Sequence, residues 1–530
     1  MKGRGCCFAT FIFLIVPWTL FGGVDVNVYN DTVYLYLDKL YSAGLVETYM
    51  PDQRPLTRDA VAKLIKEARE NLDAIGNMEE EPLEALVCEL EREFSGALSG
   101  KNVEFVPLSS FTLSYTATNQ EESPIPYNGL GSTSGRVQPL LSYSEGDHFD
   151  GYGNVYSSSG HSIKATPYFA AYFEPKYFTA SGDDSTGGVG LYRGYVKTGY
   201  KDFELQVGRD DILWGPGENS LLFSGNARAL DMIKVSSPRP FRLPGFFKNL
   251  GNIRATAFFS PLGNDYTPAH STLSAYRIDY GPVKWVNIGF DHAVFLGGDG
   301  LASPDFTTAV RNFIGLLASS HHDHAATNHL MGTDATFHIP HAMGTQAYVK
   351  VLFEDTNANT GYMLKTDASW LGGVYLPEIN GKEMLSVRAE FIYTGPFSYT
   401  HWQYTDGFTV DNKFIGYDAG PDTLSGFISS KYQINFDEFL TMDLRYLRRS
   451  NDYYHFVFTA NGNIVGIVDD LNKPKEGNNI ARVGGQKKVS KILNLYAEAG
   501  FDKKRNADFV DNRSATEFVF QIKLTIHSLR

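Results

Sequence analysis

Histidine side chains form the densest group of metal-binding residues in this chain, at His321, His322, Asp323, His324 and His329. Imidazoles with this spacing can bind zinc or copper if the loop that carries them bends back on itself. No second set of ligands with recognised spacing accompanies the group. We therefore expect a flexible polar loop here, with neither a metal site nor a cofactor.

Charged residues surround a predicted sharp bend, Trp214-Gly215-Pro216-Gly217, where proline fixes one dihedral angle and the glycines permit positive ones. The bend could shape a ligand-binding surface, or it could fold a loop into an enclosed space where charges pair. The second interpretation is favoured, because charges in an interior usually exist in pairs. The residues concerned are Arg209, Asp210, Asp211, Trp214, Gly215, Pro216, Gly217, Asn226 and Arg228.

Two functional classes are disfavoured by composition and motifs. The sequence contains no Gly-x-Ser-x-Gly elbow and no His-Glu-x-x-His motif, so no nucleophile is identified and we expect no enzyme. With 60 acidic and 47 basic residues the net charge is -13, which opposes the phosphate neutralisation that nucleic-acid binding requires. Nucleic acid is therefore not an expected partner.

The first residues resemble a secretory signal. Lys2 and Arg4 precede an apolar run that ends at Gly23, a small-residue cleavage site. The run is shorter than the ~20 residues that cross a bilayer as a helix, which disfavours an anchor. We predict a signal peptide at residues 1–23 and a mature chain that starts near Val24. Cys88 is then the last remaining cysteine, so the mature chain forms no internal disulfide.

Helical periodicity occupies the next part of the chain, residues 24–100. Apolar residues recur on one face of each of three segments, for example at Leu37 and Tyr41 in the first. Thr57 is the expected N-cap of the second helix, and Gly44 suits the end of the first. These patterns predict a small N-terminal helical bundle.

From residue 101 to residue 530 the period changes to two. Charged residues repeatedly occupy one strand face, as with Arg388 and Glu390 or Asp443 and Arg445. A soluble β-sandwich would have a dry core on its inward face, whereas a membrane barrel has lipid on one face and a polar lumen on the other. The export signal and the 14% aromatic content favour the barrel. In a lumen, neutralising Glu390 should have a mild effect.

The predicted connections alternate between tight turns and long loops, which is typical of outer-membrane barrels. Asn380-Gly381 and Asn435-Phe436-Asp437 are tight, whereas Thr394–Ser425 is long. The sequence thus predicts a mainly β fold, a large antiparallel transmembrane β-barrel of about 16 to 18 strands, after the helical bundle.

Several sequence blocks, in order, resemble the capsule assembly Wzi family. The hallmark segment runs from Gly208 to Gly217 and continues to Arg228. Later blocks are Phe353-Glu354-Asp355, Tyr393-Thr394-Gly395, Phe414-Ile415-Gly416-Tyr417 and Gly420-Pro421-Asp422, and the helical start carries Leu40–Leu45 and Arg54–Arg58.

The resemblance implies an 18-stranded outer-membrane barrel, a periplasmic helical bundle, and lectin-like attachment of capsular or extracellular polysaccharide. Outer-membrane lipid and the barrel assembly machinery are then further partners. The chain departs from the usual aromatic C-terminus of such barrels, since it ends Ser528-Leu529-Arg530. A porin or saccharide channel is the main alternative, and a barrel-embedded hydrolase is the lesser one.

The long loop after Tyr393 contains the candidate polysaccharide-binding residues. Flat aromatic faces can pack against sugar rings, and carboxylates can accept hydrogen bonds from hydroxyl groups. The same aromatics could instead belong to the interfacial girdle that such barrels carry. The candidates are Tyr399, Trp402, Tyr404 and Asp406.

Overall fold

A computed structural model describes most of the chain. The described residues are 23–29, 31–75, 81–100, 103–141, 143–149, 153–165, 169–180, 187–200, 202–316, 327–340, 342–354, 367–379, 384–458, 464–469 and 473–527. The predicted signal peptide up to residue 22, the histidines at 321–324, the Asn380-Gly381 turn and the last three residues lie outside them.

Eighteen antiparallel strands close into a barrel, which confirms the predicted antiparallel β-barrel. The last strand pairs with the first, with Phe111 opposite Ile526. The strands are β1 (Val103–Thr118), β2 (Asn154–Ala165), β3 (Phe169–Ala180), β4 (Gly187–Tyr200), β5 (Phe203–Asp210), β6 (Leu230–Ser236), β7 (Asn252–Pro261), β8 (Thr272–Val283), β9 (Val286–Leu296), β10 (Thr327–Ile339), β11 (Thr345–Glu354), β12 (Ala368–Leu376), β13 (Leu385–Thr394), β14 (Thr423–Asn435), β15 (Glu438–Arg449), β16 (Glu476–Lys488), β17 (Leu493–Arg505) and β18 (Ser514–His527).

In the part of the chain that the structure describes, four helices precede the barrel and a fifth lies between β9 and β10. Thr57 Oγ1 accepts a hydrogen bond from Ala60 N at 3.1 Å, which confirms the predicted N-cap. Within the described residues, no helix is both long and apolar enough to span a membrane. The helices are α1 (Asp31–Ser42), α2 (Arg58–Ile75), α3 (Glu81–Glu93), α4 (Ser95–Leu98) and α5 (Phe306–Phe313).

Side chains on the barrel strands alternate between the lumen and the outer wall. On β13, Glu390 and Ile392 are buried, whereas Phe391 between them is 54% exposed. On β15, Arg445 is buried while Leu444 and its alternate neighbours are exposed. The charged face therefore lines the lumen and the apolar face forms the outer wall, as the alternation predicts.

The two ends of the barrel carry different connections. At the end next to the helices, which we call the helical end, several turns are short, as at 284–285 and 436–437, although the connection 237–251 is longer. At the opposite, distal end, the connections 119–153, 211–229 and 395–422 are long. The tight turn predicted at 435–437 and the long loop predicted at 394–425 are confirmed.

Candidate functional site

The Trp214 bend folds into the barrel lumen and contacts the helical segment. Leu213 and Trp214 pair as a short ladder with Arg54 and Gln53, which lie between α1 and α2. Gly215 N donates to the Asp52 carbonyl oxygen at 2.8 Å. The loop and the helical segment therefore meet inside the barrel, and the backbone of each supplies hydrogen-bond partners to the other.

Glu390 on the barrel wall holds the turn that follows this bend. Its Oε1 accepts from Tyr348 Oη at 2.6 Å and from Glu218 N at 2.7 Å. Its Oε2 accepts from Asn219 Nδ2 at 2.6 Å and from Asn219 N at 3.2 Å. Gly217 has a φ of +86°, and a Cβ there would collide with Glu390 Oε1. A glycine is required because the backbone approaches the carboxylate so closely.

The long loop 395–422 closes over loop 211–229 from the distal end. Tyr399 Oη donates to the Leu221 carbonyl oxygen at 2.6 Å, and Ser224 Oγ donates to the Gly416 carbonyl oxygen at 2.6 Å. We call these two loops together the plug. Its aromatic side chains pack with Phe258 of β7 and Phe295 of β9 into a core inside the barrel. The plug contributes Trp214, Phe223, Tyr399, Tyr404, Phe408, Phe414 and Tyr417 to this core.

A layer of paired charges lies in the lumen beside Asp52. Arg277 on β8 contacts Asp334 at 2.7 Å, Asp291 at 2.8 Å and Asp279 at 2.6 Å. Oxygens of Asp52, Asp279 and Asp334 lie close enough together to suggest a cation site. The guanidinium of Arg277 already supplies positive charge to two of these three carboxylates, so ion pairing explains the cluster.

The predicted charged residues around the bend separate into two groups. Asp210 pairs with Lys234 at 3.3 Å in the lumen, and Asp211 is buried near Arg193. The bend residues 214–217 and Asn226 are also buried or nearly so. These residues all lie inside the barrel, where the inward-folding interpretation expects them.

The positions of Arg209 and Arg228 differ from those that the inward-folding interpretation predicts. Because Asp210 points inward, strand alternation turns Arg209 to the outer wall, where it pairs with Asp231 at 2.6 Å. Arg228 forms a partly exposed ion pair with Asp411 between the two loops. The lumenal placement predicted for Arg209 is therefore wrong.

The candidate binding residues of loop 395–422 do not form one surface. Tyr399 and Tyr404 are fully buried in the plug, so neither can offer a ring to a sugar or to the membrane interface. These two assignments are wrong, because the loop folds inward rather than outward. Asp406 Oδ2 accepts from Thr267 N at 2.6 Å, whereas Trp402 is 71% exposed at the distal end.

Other aromatics at the distal end, the exposed Tyr127 and His455 and the half-buried Tyr453, were not identified from the sequence. Tyr127 and Tyr453 contact edge to face with ring centroids 6.1 Å apart, and His455 lies 4.7 Å from Tyr453. Lys473 Nζ lies 5.9 Å from the Tyr453 ring. No local motif could reveal this group, since it joins two loops that are distant in sequence.

Loop 119–153 connects this group to Trp402. Asn128, beside Tyr127, donates through Nδ2 to the Pro396 carbonyl oxygen at 2.6 Å. Ser132 N donates to the carbonyl oxygen of His401, the neighbour of Trp402, at 3.1 Å. We call Tyr127, Trp402, Tyr453 and His455 the distal aromatic surface.

Fold and site together define a membrane-type β-barrel whose lumen is filled by its own loops and helical segment. Exposed aromatics are left at its distal end. The chain belongs to the capsule assembly protein Wzi family, whose model matches residues 125–517. No curated protein sequence matches it.

One solved structure shares the barrel fold over nearly the whole chain. Wzi of Escherichia coli, described as a carbohydrate-binding β-barrel of the outer membrane involved in group 1 capsule assembly, is 15% identical with a TM-score of 0.66. That match covers 96% of this chain and 99% of the other. OccK5 of Pseudomonas aeruginosa is 10% identical with a TM-score of 0.42, covering 79% of this chain and 97% of the other.

Proposed function

We propose that this protein is an outer-membrane lectin that binds capsular or extracellular polysaccharide and holds it at the cell surface. Family membership supports this proposal, together with the carbohydrate binding described for the Escherichia coli relative. The observation that carries it is the distal aromatic surface, which stands above a filled lumen.

The proposed orientation has the distal end outside the cell and the helical segment as a periplasmic bundle, with the boundary at residues 100 and 101. It is supported by the even strand number, which brings both chain ends to one side of the membrane. Outer-membrane lipid then contacts the apolar outer wall, and the barrel assembly machinery inserts the chain.

The chemistry at the distal aromatic surface and the filled lumen favour binding over transport. Aromatic rings pack against the C–H faces of sugars, while Lys473 and the amide of Gln403 can hydrogen-bond to hydroxyl or carboxylate groups. A saccharide channel needs an open lumen, and the plug core occupies that space. The polysaccharide therefore binds on the surface rather than passing through the barrel.

The test combines Trp402→Ala with Tyr127→Ala in the full chain. We expect cells to release capsule into the medium, while the purified barrel keeps its heat-modifiable migration on gels. Trp285→Ala is the matched control, because Trp285 is also an exposed tryptophan but lies in a turn at the helical end. Equal retention by the double variant and the control would contradict the proposal.

A further inference from the structure

Helix α5, in the described part of the connection between β9 and β10, lies over the outside of the barrel. On β9, Asp291 points into the lumen, so its neighbours Phe290 and His292 point outward. Phe290 is 37% exposed, as a lipid-facing residue should be, but His292 is 0% exposed. Another part of the chain must therefore cover His292 on the outer wall.

Helix α5 provides this cover. The backbone carbonyl of Phe313, the last residue of α5, accepts a hydrogen bond from His292 Nδ1 at 3.0 Å. The Phe313 ring lies 5.2 Å from that of Tyr276, which points outward on the neighbouring strand β8. The helix thus lies against the outer face of the wall, although the connection that carries it starts at the distal rim.

The covered wall contains a second outward-facing histidine. His329 on β10 is buried, and its ring stacks on that of His292 with centroids 5.2 Å apart. His329 Nδ1 lies 3.0 Å from His292 Nε2. Since His292 donates to a carbonyl through Nδ1, its Nε2 accepts from His329. The cover by α5 and the hydrogen bond between the two rings shield the polar nitrogens of His292 and His329 from the apolar environment outside the wall.

The face of α5 that points away from the wall is apolar and uncovered. Asp305 caps the helix through a 2.7 Å bond from Thr308 N, which defines its start. Phe306 is 85% exposed, and Val310 and Ile314 follow at four-residue spacing on the same face, also exposed. Such a patch on a wall helix requires an apolar partner.

The height of α5 on the barrel identifies that partner. His292 is six residues beyond the start of β9, which at ~3.3 Å per residue and a tilt near 40° is roughly 15 Å above the helical end. The apolar band of an outer-membrane barrel is about 25 Å tall. The C-terminal end of α5, which contacts His292, is therefore level with the distal half of the band and just above the lipid-facing Phe290.

We propose that α5 is an interfacial helix that binds the acyl chains of membrane lipid in the outer leaflet. Phe306, Val310 and Ile314 enter the acyl region, while Thr307 and Arg311, one step around the helix, face the headgroups. The inference uses the membrane orientation proposed above but not polysaccharide binding.

The test uses spin labels on the full chain in vesicles of phosphatidylethanolamine and phosphatidylglycerol. The exposed Cys88 is first removed by Cys88→Ser, so that single labels can be introduced by Phe306→Cys, Val310→Cys or Thr307→Cys. Collision with oxygen, which partitions into lipid, is compared with collision with a water-soluble nickel chelate. Phe290→Cys provides the lipid reference and Trp402→Cys the water reference.

We expect the labels at 306 and 310 to behave like the label at 290, and the label at 307 to be intermediate. If those at 306 and 310 instead match the label at 402 while 290 remains in lipid, α5 is in water and the proposal is overturned. Protection from both reagents, with spin–spin broadening, would also overturn it by indicating a second copy of the chain. A water-exposed label at 290 would overturn the proposal as well, because the outer wall at this height would then not contact lipid.

Discussion

Replacing Glu390 with glutamine should loosen the plug without unfolding the barrel. The lumenal position suggested a mild effect, but the carboxylate is buried and accepts four hydrogen bonds from Tyr348, Glu218 and Asn219. Glutamine retains one acceptor oxygen, and its NH2 group would face two donors. Asn219 cannot simply turn over, because its Oδ1 accepts from Tyr143 Oη at 2.6 Å.

The magnitude follows from the two lost bonds. A hydrogen bond to a charged group contributes ~1.5 to 3 kcal/mol, so plug docking should weaken by about 3 to 6 kcal/mol. The barrel ladders do not depend on Glu390, so the loss should appear as local opening. Trypsin cleavage after Arg228, whose side chain is only partly exposed between the loops, measures that opening.

Asp443→Asn is the matched control for Glu390→Gln. Asp443 is also a lumen-facing carboxylate on the wall, but its ion pair is a single 3.3 Å contact with Arg482. We expect a change below about 1 kcal/mol there. Equal cleavage after Arg228 in the two variants, with unchanged heat-modifiable migration, would refute the assignment of Glu390 as the anchor of the plug.

Three further predictions concern topology, pH and the outer wall. A membrane-impermeant maleimide should label the exposed Cys88 in lysed cells but not in intact cells, and labelling of intact cells would contradict a periplasmic helical segment. Burial raises the pKa of Asp211 from 3.8 to about 8. The folded state gains stability from the protonated carboxyl below pH 3.8, and this stability is lost as the pH rises through about 8. The rate of cleavage after Arg228 should therefore increase over this pH range, and in Asp211→Asn it should no longer depend on pH. The same pH profile in both proteins would show that Asp211 does not cause the dependence. Leu444→Arg on the outer wall should destabilise the barrel by ~2 to 4 kcal/mol in urea titrations, and a smaller change than in Leu444→Ala would argue against lipid contact.

The barrel and the helices could be predicted because their signals are local. Two-residue alternation assigned Glu390 and Arg445 to the lumen and Phe391 and Leu444 to the outer wall, which the burial of these side chains confirms. Thr57 could be recognised as a helix cap because the residue type and its helix are adjacent in sequence.

The loops could not be predicted with the same success. An aromatic ring has the same chemistry in a core as on a surface, so the sequence could not distinguish buried Tyr399 and Tyr404 from exposed Trp402. The lumenal placement predicted for Arg209 was wrong for a related reason. Arg209 and Asp210 are neighbours in sequence, so they point to opposite faces of β5, and only the register of that strand in the barrel determines which of them faces inward.

What the sequence alone determined is the class of fold, because periodicity repeats over many residues and the hydrophobic effect acts on every repeat. The tertiary structure decided which loops fold inward, which aromatics remain at the distal end, and that α5 covers His292 on the outer wall. These features depend on contacts between segments far apart in the chain, such as Tyr399 with Leu221. Such contacts form only when the closed barrel brings its loops into one confined space.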